Sequence, residues 1–160
     1  MAVTIAIETP LQDDVRELVR KLNDHLIPLS PIEFQFKMTV EQMAEPHTTV
    51  FVARDEHGQA IGMGALKAHS AELGEVKRMY TDPAIRGQRI GSQLLAAIVA
   101  LARTKHLRML MLETGTGEGM AEAHRLYTRN GFKSRGAFLD YPESDWSAFF
   151  QLPINEEQPA

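Results

Sequence analysis

The sequence contains no cysteine. That absence excludes a disulfide framework, a thiolate metal site and a cysteine nucleophile, and it suits a reducing compartment, so we expect the cytoplasm. No apolar run approaches the roughly 20 residues of a membrane span, and Met1–Pro10 lacks the pattern of a signal peptide. The net charge is −4, whereas a nucleic-acid-binding surface needs Lys and Arg in excess. We therefore expect neither a membrane nor a nucleic acid as a partner.

The chain also lacks repeats, low-complexity tracts and any Pro/Gly/Ser linker that would divide its 160 residues. We predict a single domain over residues 1–160, long enough to bury a core without disulfides. The six histidines show no paired ligand spacing. We accordingly predict no metal site and place each histidine on the surface.

Hydrophobic periodicity divides the first half of the chain into a strand, a helix and three further strands. The helix opens at Pro10 and carries an apolar stripe with helical spacing as far as Leu26, beyond which two prolines stop it. The predicted strands are Val3–Ile7, Thr48–Arg54, Gln59–Lys67 and Glu75–Thr81, and a short helix is expected at Val40–Ala44.

The stretch Leu29–Pro46 carries no strong helix signal, yet its apolar residues alternate from Ile32 to Met38 and include Phe34 and Phe36. Two interpretations remain open. Long irregular loops in compact domains are often binding lids, and alternating apolar residues also fit an edge strand that packs one face.

The second half of the chain shows a strand–helix–strand order, which implies at least one parallel pair. The class is therefore mixed α/β. An uninterrupted apolar run in the strand after the helix is expected of a strand covered on both faces. The predicted helices are Ile90–His106 and Met120–Asn130, the latter closed by Gly131, and the strands are Arg108–Glu113, Phe132–Ser134 and Ser147–Leu152.

The loop Arg86–Ser92 lies between a strand and the start of a helix. A helix N-terminus offers unpaired N–H groups and a positive dipole end, and two glycines let an anion approach the backbone. The lysine and hydroxyl of a nucleotide P-loop are missing. The pattern favours a phosphate site without the parts that position a metal; a plain turn with solubilising arginines is the alternative.

Asp82–Gly91 resembles the cofactor motif of the GNAT superfamily of N-acetyltransferases: an x-Pro step, Arg or Gln, two residues, Gly, one residue, Gly or Ala, and then a helix. Here Arg89 replaces the middle glycine. The backbone N–H survives that change, so we expect pyrophosphate binding to survive, provided that Arg89 does not require a positive φ. A second block, Ala123–Phe132, resembles the family's A-x-x-L-Y-x-x-x-G-F pattern. The asparagine that many members carry three residues before that alanine is Met120 here.

This resemblance implies a mixed α/β fold, with a mostly antiparallel central sheet, one parallel pair and flanking helices. It implies acetyl-CoA as co-substrate and a small-molecule or peptide amine as acceptor. A homodimer stays open as the assembly. Backbone N–H groups of the strand before the loop should meet the oxyanion. The residues expected to bind acetyl-CoA are Met79, Tyr80, Thr81, Arg86, Gly87, Gln88, Arg89, Ile90, Gly91 and Ser92.

Amide formation from a thioester needs a neutral amine and a proton for the leaving thiolate. Glu75 and Glu113 are the candidate general bases, because the family analogy puts both near the acceptor side of the cleft. A solvated strand-end carboxylate for Glu75 and a salt bridge for Glu113 are the alternatives. The resemblance points to Tyr127 as the proton donor, a role that is compatible with a tyrosine packed in the core.

Two other functions compete with an acetyltransferase. Glu113–Gly119 resembles the glycine-rich loop of S-adenosylmethionine methyltransferases, but only about forty residues follow it, too few for the remaining βαβ units. A GNAT-fold protein could also bind acyl-CoA without catalysis, since fold does not imply activity.

Overall fold

A computed structural model describes residues 2–85 and 89–155. Within these ranges the helices are α1 (Asp13–Leu26), α2 (Val40–Met43), α3 (Ile90–Thr104) and α4 (Ala121–Arg129). The strands are β1 (Thr4–Ile7), β2 (Thr48–Arg54), β3 (Ala60–Ala68), β4 (Leu73–Thr81), β5 (Met109–Gly115), β6 (Lys133–Arg135) and β7 (Ser147–Pro153).

The described strands form one sheet in the order β1-β2-β3-β4-β5-β7-β6. β4 and β5 are parallel, and the other neighbouring strands are antiparallel. This arrangement confirms the predicted mixed sheet with one parallel pair. The right-handed crossover that such a pair requires runs through α3.

Each face of the sheet carries its own core. On one face, the apolar stripe of α1 packs against β2 and β3, burying Val15, Leu18, Val19, Leu22, Val52 and Met63. On the other face, α3 and α4 cover the sheet, burying Leu94, Leu95, Ile98, Leu110, Tyr127 and Phe150. The 3.6-residue spacing of apolar side chains therefore predicts correctly which side of α1 and α3 is buried.

Two elements differ from the sequence-based expectation. The first helix begins at Asp13 rather than Pro10, because Leu11 is 49% exposed and does not join the buried stripe. β5 is fully buried on the Leu110 and Leu112 face only, while Met111 and Glu113 on its other face are partly exposed. The expectation of a strand covered on both faces is wrong for that second face, because Glu113 lines a cleft there.

The two parallel strands pair only over their first residues, and a cleft opens where they separate. Among the described residues, β4 and β5 pair only from Leu73 to Glu75. On its other side β4 pairs with β3, but the register shifts between Met63 and Ala65, so that Arg78 and Met79 together oppose Gly64. Arg78 adopts a φ of 56°, in the left-handed region. This β-bulge bends β4 away from β5.

No helix within residues 2–85 and 89–155 is long and apolar enough to cross a bilayer.

Candidate active site

A cleft of about 860 Å³ lies where β4 and β5 part. Its walls come from the half of β4 that does not pair with β5, the end of β5, the start of α3, one side of α4 and the segment after α1. A site at the carboxyl ends of adjacent parallel strands is the usual place for a ligand in a wound sheet. The cleft brings together the described residues of both sequence motifs.

The edge of β4 supplies backbone groups to this cleft. Met79, Tyr80 and Thr81, which the family resemblance predicts to bind acetyl-CoA, all line it. Backbone N–H groups on the β5 side of this stretch are not used by the ladder between the described strands, because pairing stops at Glu75. A Cβ on Gly64 of β3 would meet the Met79 sulfur and lie 3.1 Å from Cδ1 of Ile98, so the glycine leaves room for the Met79 side chain at the bulge.

The N-terminus of α3 opens onto the same cleft, with Ile90, Gly91 and Ser92 lining it. Arg89, just before α3, has a φ of 57°. We expected pyrophosphate binding to survive provided that Arg89 does not require a positive φ, and that condition is not met. A non-glycine residue in that region costs about 1 kcal/mol or more. Arg86, Gly87 and Gln88 lie outside the described residues.

Glu75 is buried, with 2% of its surface exposed. The Tyr141 hydroxyl donates to its Oε2 at 2.6 Å, Lys77 Nζ lies 3.4 Å from the same oxygen, and His69 Nε2 lies 2.8 Å from Oε1. The solvated-carboxylate interpretation of Glu75 is therefore wrong. The surface assignment of His69 is wrong as well, because this histidine is held against the buried carboxylate.

Glu113 lines the same cleft as Glu75 and has a different environment. Burial, with a smaller contribution from the Glu75 charge, raises the pKa of Glu113 to about 7, while the Ser147 hydroxyl and the Lys77 charge oppose the rise. No salt bridge joins Glu113 to another described residue, so the salt-bridge alternative gains no support. A carboxyl with a pKa near neutrality can exchange a proton at physiological pH.

Tyr127 belongs to the core and to the cleft at once. It is 6% exposed, its ring packs edge-on against Phe132 and tilted on Phe150, and it lines the cleft. Burial, together with the charge of Glu113, raises the pKa of the Tyr127 hydroxyl. The phenol is therefore protonated throughout the neutral range, as a proton donor must be.

The segment after α1 is a wall of the cleft. Its described part forms two single-turn 3₁₀ helices, Ile27–Leu29 and Ile32–Phe34, and the short α2, so the edge-strand interpretation is wrong. Gln35 ties the turn together by donating from Nε2 to the carbonyls of Leu26, Ile27 and Ser30. Phe36 packs edge-on against Tyr141 with ring centroids 5.1 Å apart.

Sequence reasoning assigned no site role to Lys77, Arg78 or Tyr141, which line the cleft, nor to His69, which contacts Glu75. Lys77 had a signal, because alternate residues of a strand share a face and Glu75 was already a candidate. Tyr141 had none, since it lies in an irregular connection between β6 and β7. Among the described residues, no group of three or more His, Asp or Glu side chains could hold a metal ion.

The comparisons with known proteins agree with this geometry. A family model described as an acetyltransferase (GNAT) domain matches residues 46–134. An "IAA acetyltransferase" of Azospirillum brasilense is 39% identical over 153 residues, covering 95% of this chain and 98% of that protein. A crystal structure from Klebsiella pneumoniae, assigned as an acyl-CoA N-acyltransferase, has a TM-score of 0.77 at 33% identity and covers 94% of this chain and 97% of its own.

The fold recurs in more distant proteins. YncA of Salmonella typhimurium, solved with acetyl-CoA, has a TM-score of 0.70 at 17% identity, covering 100% of this chain and 98% of its own, which is a likeness of fold alone. The parted strands and the matches over most of the chain exclude the methyltransferase alternative. The chain belongs to the GNAT family of acetyltransferases, which act on amine acceptors and whose co-substrate is acetyl-CoA.

Proposed function

We propose that the chain transfers the acetyl group of acetyl-CoA to a primary amine of a small molecule or peptide, by direct attack in a ternary complex. One observation carries this proposal: a single cleft joins a helix N-terminus, the edge of β4 beyond its pairing with β5, two carboxyl groups and a protonated tyrosine. The cysteine-free composition suits a reducing compartment, and we place the reaction in the cytoplasm.

The start of α3 and the edge of β4 fit the donor. The unpaired N–H groups at Ile90, Gly91 and Ser92, together with the positive end of the helix dipole, would hold the pyrophosphate. The N–H groups of Met79–Thr81 would hold the pantetheine arm and polarise the acetyl carbonyl. When bound, acetyl-CoA supplies an activated acyl group on a thiol leaving group.

Glu113 is the better placed of the two candidate bases. The lone pairs of Glu75 are occupied by Tyr141, His69 and Lys77, so a proton taken there would have to break an existing contact. Glu113 has a pKa near 7, and among the described residues a single hydroxyl donor, Ser147, acts on it. Glu113 takes a proton from the ammonium group of the acceptor, directly or through water, and the neutral amine so formed attacks the acetyl carbonyl. Glu75 fixes the wall on which the acceptor lies.

Tyr127 gives a proton to the sulfur as the C–S bond breaks and the C–N bond forms, and it regains a proton from solvent. Burial disfavours the phenolate, so the hydroxyl acts as a hydrogen-bond donor that completes its transfer late. Phe132 and Phe150 hold the ring in place for this step.

An acetyl-CoA consumption screen tests the proposal. Free amino acids, polyamines, aminoglycosides and short peptides are each incubated with the protein, and free thiol is measured against time. Turnover with an amine supports the proposal, and loss of that turnover in Glu113→Gln links it to the cleft. Binding of acetyl-CoA with no turnover across the panel would favour a non-catalytic acyl-CoA-binding module.

A further inference from the structure

Arg78 is a buried cation without a counter-ion. Only 8% of its surface is exposed, and it lines the cleft. Its Nη2 donates to Oδ1 of Asn23 in α1, and its Nε has no hydrogen-bond partner. No carboxylate among the described residues pairs with it. Burial alone lowers the pKa of the guanidinium to about 10, so it still carries its charge at neutral pH.

An uncompensated buried charge is costly, and proteins place one where a ligand supplies the opposite charge. The guanidinium is a planar fork of donors that matches carboxylate and phosphonate oxygens in pairs. A neutral amide such as Asn23 satisfies one donor and leaves the charge in place. The free Nε and the cleft exposure of Arg78 therefore indicate an anionic ligand group.

The position of Arg78 separates this anion from the pyrophosphate of acetyl-CoA. Asn23, the partner of Arg78, belongs to α1, which covers one face of the sheet, whereas α3 and its N-terminus cover the other face. Glu75 and Lys77 precede Arg78 on β4, and their partner Tyr141 contacts Phe36 in the segment after α1. Arg78 thus lies on the wall opposite the helix end, with the carboxyl groups that face the acceptor.

We propose that Arg78 binds an oxyanion of the acceptor, so that the substrate is an amine that also carries a carboxylate or phosphonate, as an amino acid does. This inference rests on the proposed function and names its substrate class. With the oxyanion on Arg78, the amine of a short acceptor reaches toward Glu113 along the same wall.

The test compares acceptors that differ only in this charge. L-Phenylalanine and L-methionine are each assayed beside their α-amides, β-alanine beside β-alaninamide, and 2-aminoethylphosphonate beside its diethyl ester. We expect at least one carboxylate or phosphonate acceptor to exceed its uncharged partner by tenfold or more in kcat/KM, and the comparison of β-alanine with 2-aminoethylphosphonate distinguishes the two anions. Arg78→Met should remove that preference, Arg78→Lys should keep part of it, and Arg16→Met, a change on an exposed face of α1, should leave it intact.

Equilibrium binding of the same compounds gives a readout other than turnover, and it is measured as the rise in the melting temperature of each variant. Arg78-dependent binding of a charged acceptor supports the inference even where no turnover is found, and in that case only the proposed function fails. Equal kcat/KM for acids and amides, or an Arg78→Met variant that loses acetyl-CoA affinity instead of acceptor affinity, would overturn it. If Arg78→Met does not fold, the wild-type comparison and Arg78→Lys decide the matter.

Discussion

Tyr127 packs in the core and is also the residue that we propose protonates the leaving thiolate. Tyr127→Phe keeps the ring that packs on Phe132 and Phe150 and removes only the hydroxyl. We expect kcat to fall roughly 10- to 1,000-fold, about 1.4–4 kcal/mol of transition-state stabilisation, because the thiolate would leave without its proton. Acetyl-CoA affinity and melting temperature should barely change, since the hydroxyl acts in the transition state.

Steady-state kinetics and a thermal melt on the same preparation separate the possible outcomes. A lower melting temperature with kcat unchanged would make Tyr127 a structural residue. No change in either would mean that solvent or another group protonates the sulfur, and the catalytic assignment would have to be withdrawn.

Glu113 predicts a pH dependence, because its pKa of about 7 lies within the working range. As a base it acts only when ionised, so kcat/KM should rise through pH 7 in the wild type. Glu113→Gln should remove this rising limb of the pH profile and lower the rate by roughly 10²–10⁴-fold. Glu75→Gln is the matched control. If the limb disappears in Glu75→Gln and persists in Glu113→Gln, Glu75 is the base.

Glu113 should also make the stability of the protein depend on pH, in a direction set by its raised pKa. Burial raises the pKa of Glu113 from an ordinary 4.5, so the folded protein holds the proton more tightly than the unfolded chain does. Its contribution to stability is therefore full below about pH 4.5 and is lost as the pH rises through 7. Glu113→Gln should melt higher than the wild type at pH 8, with the difference shrinking at pH 5. A constant difference would contradict a buried, titrating carboxyl.

At the scale of elements, a glycine lets the start of α3 approach α4 closely. A Cβ on Gly91 would lie 3.2 Å from Cδ2 of Leu126, so a larger residue pushes the two helices apart at the mouth of the cleft. We expect Gly91→Val to weaken acetyl-CoA binding by tenfold or more, about 1.4 kcal/mol, in a protein that still folds. Calorimetric titration measures this. Ala96→Val, on an exposed position of the same helix, controls for the lower helix propensity of valine.

Unchanged acetyl-CoA affinity in Gly91→Val would place the pyrophosphate elsewhere.

Helices and strands whose apolar residues are regularly spaced were predictable from the sequence, and segments without such spacing were not. The stripe of α1 and the apolar run of β5 place both elements, because burial of one face dictates their spacing. Residues 29–46 lack a helical period. Their apolar residues alternate as in a strand, yet Gln35 donates to three carbonyls and fixes a turn instead. A single side chain reaching back to the end of α1 leaves no periodic trace in a sequence.

At the scale of the whole molecule, the cleft depends on contacts that are distant along the chain. Tyr141 reaches Glu75 from 66 residues away, and Arg78 reaches Asn23 from 55. The local motifs at the α3 start and in α4 predict where acetyl-CoA would bind, because each offers its own backbone or helix face. The wall on which we propose that the acceptor lies is assembled from separate segments, and only the folded sheet brings these together. Sequence reasoning therefore reached Glu75, Glu113 and Tyr127 but missed their partners.

The molecule as a whole should be stabilised by its co-substrate, because a ligand that binds only the folded state raises the free energy of unfolding by mass action. At acetyl-CoA concentrations near 100 times Kd, the gain is about 2.7 kcal/mol, which for a chain of this length raises the melting temperature by roughly 5–10 °C. S-Adenosylmethionine is the matched control, since the glycines at the end of β5 also suggested it as a ligand. It should leave the melting temperature unchanged. A shift with S-adenosylmethionine and none with acetyl-CoA would mean that the parted strands of β4 and β5 accept a different donor.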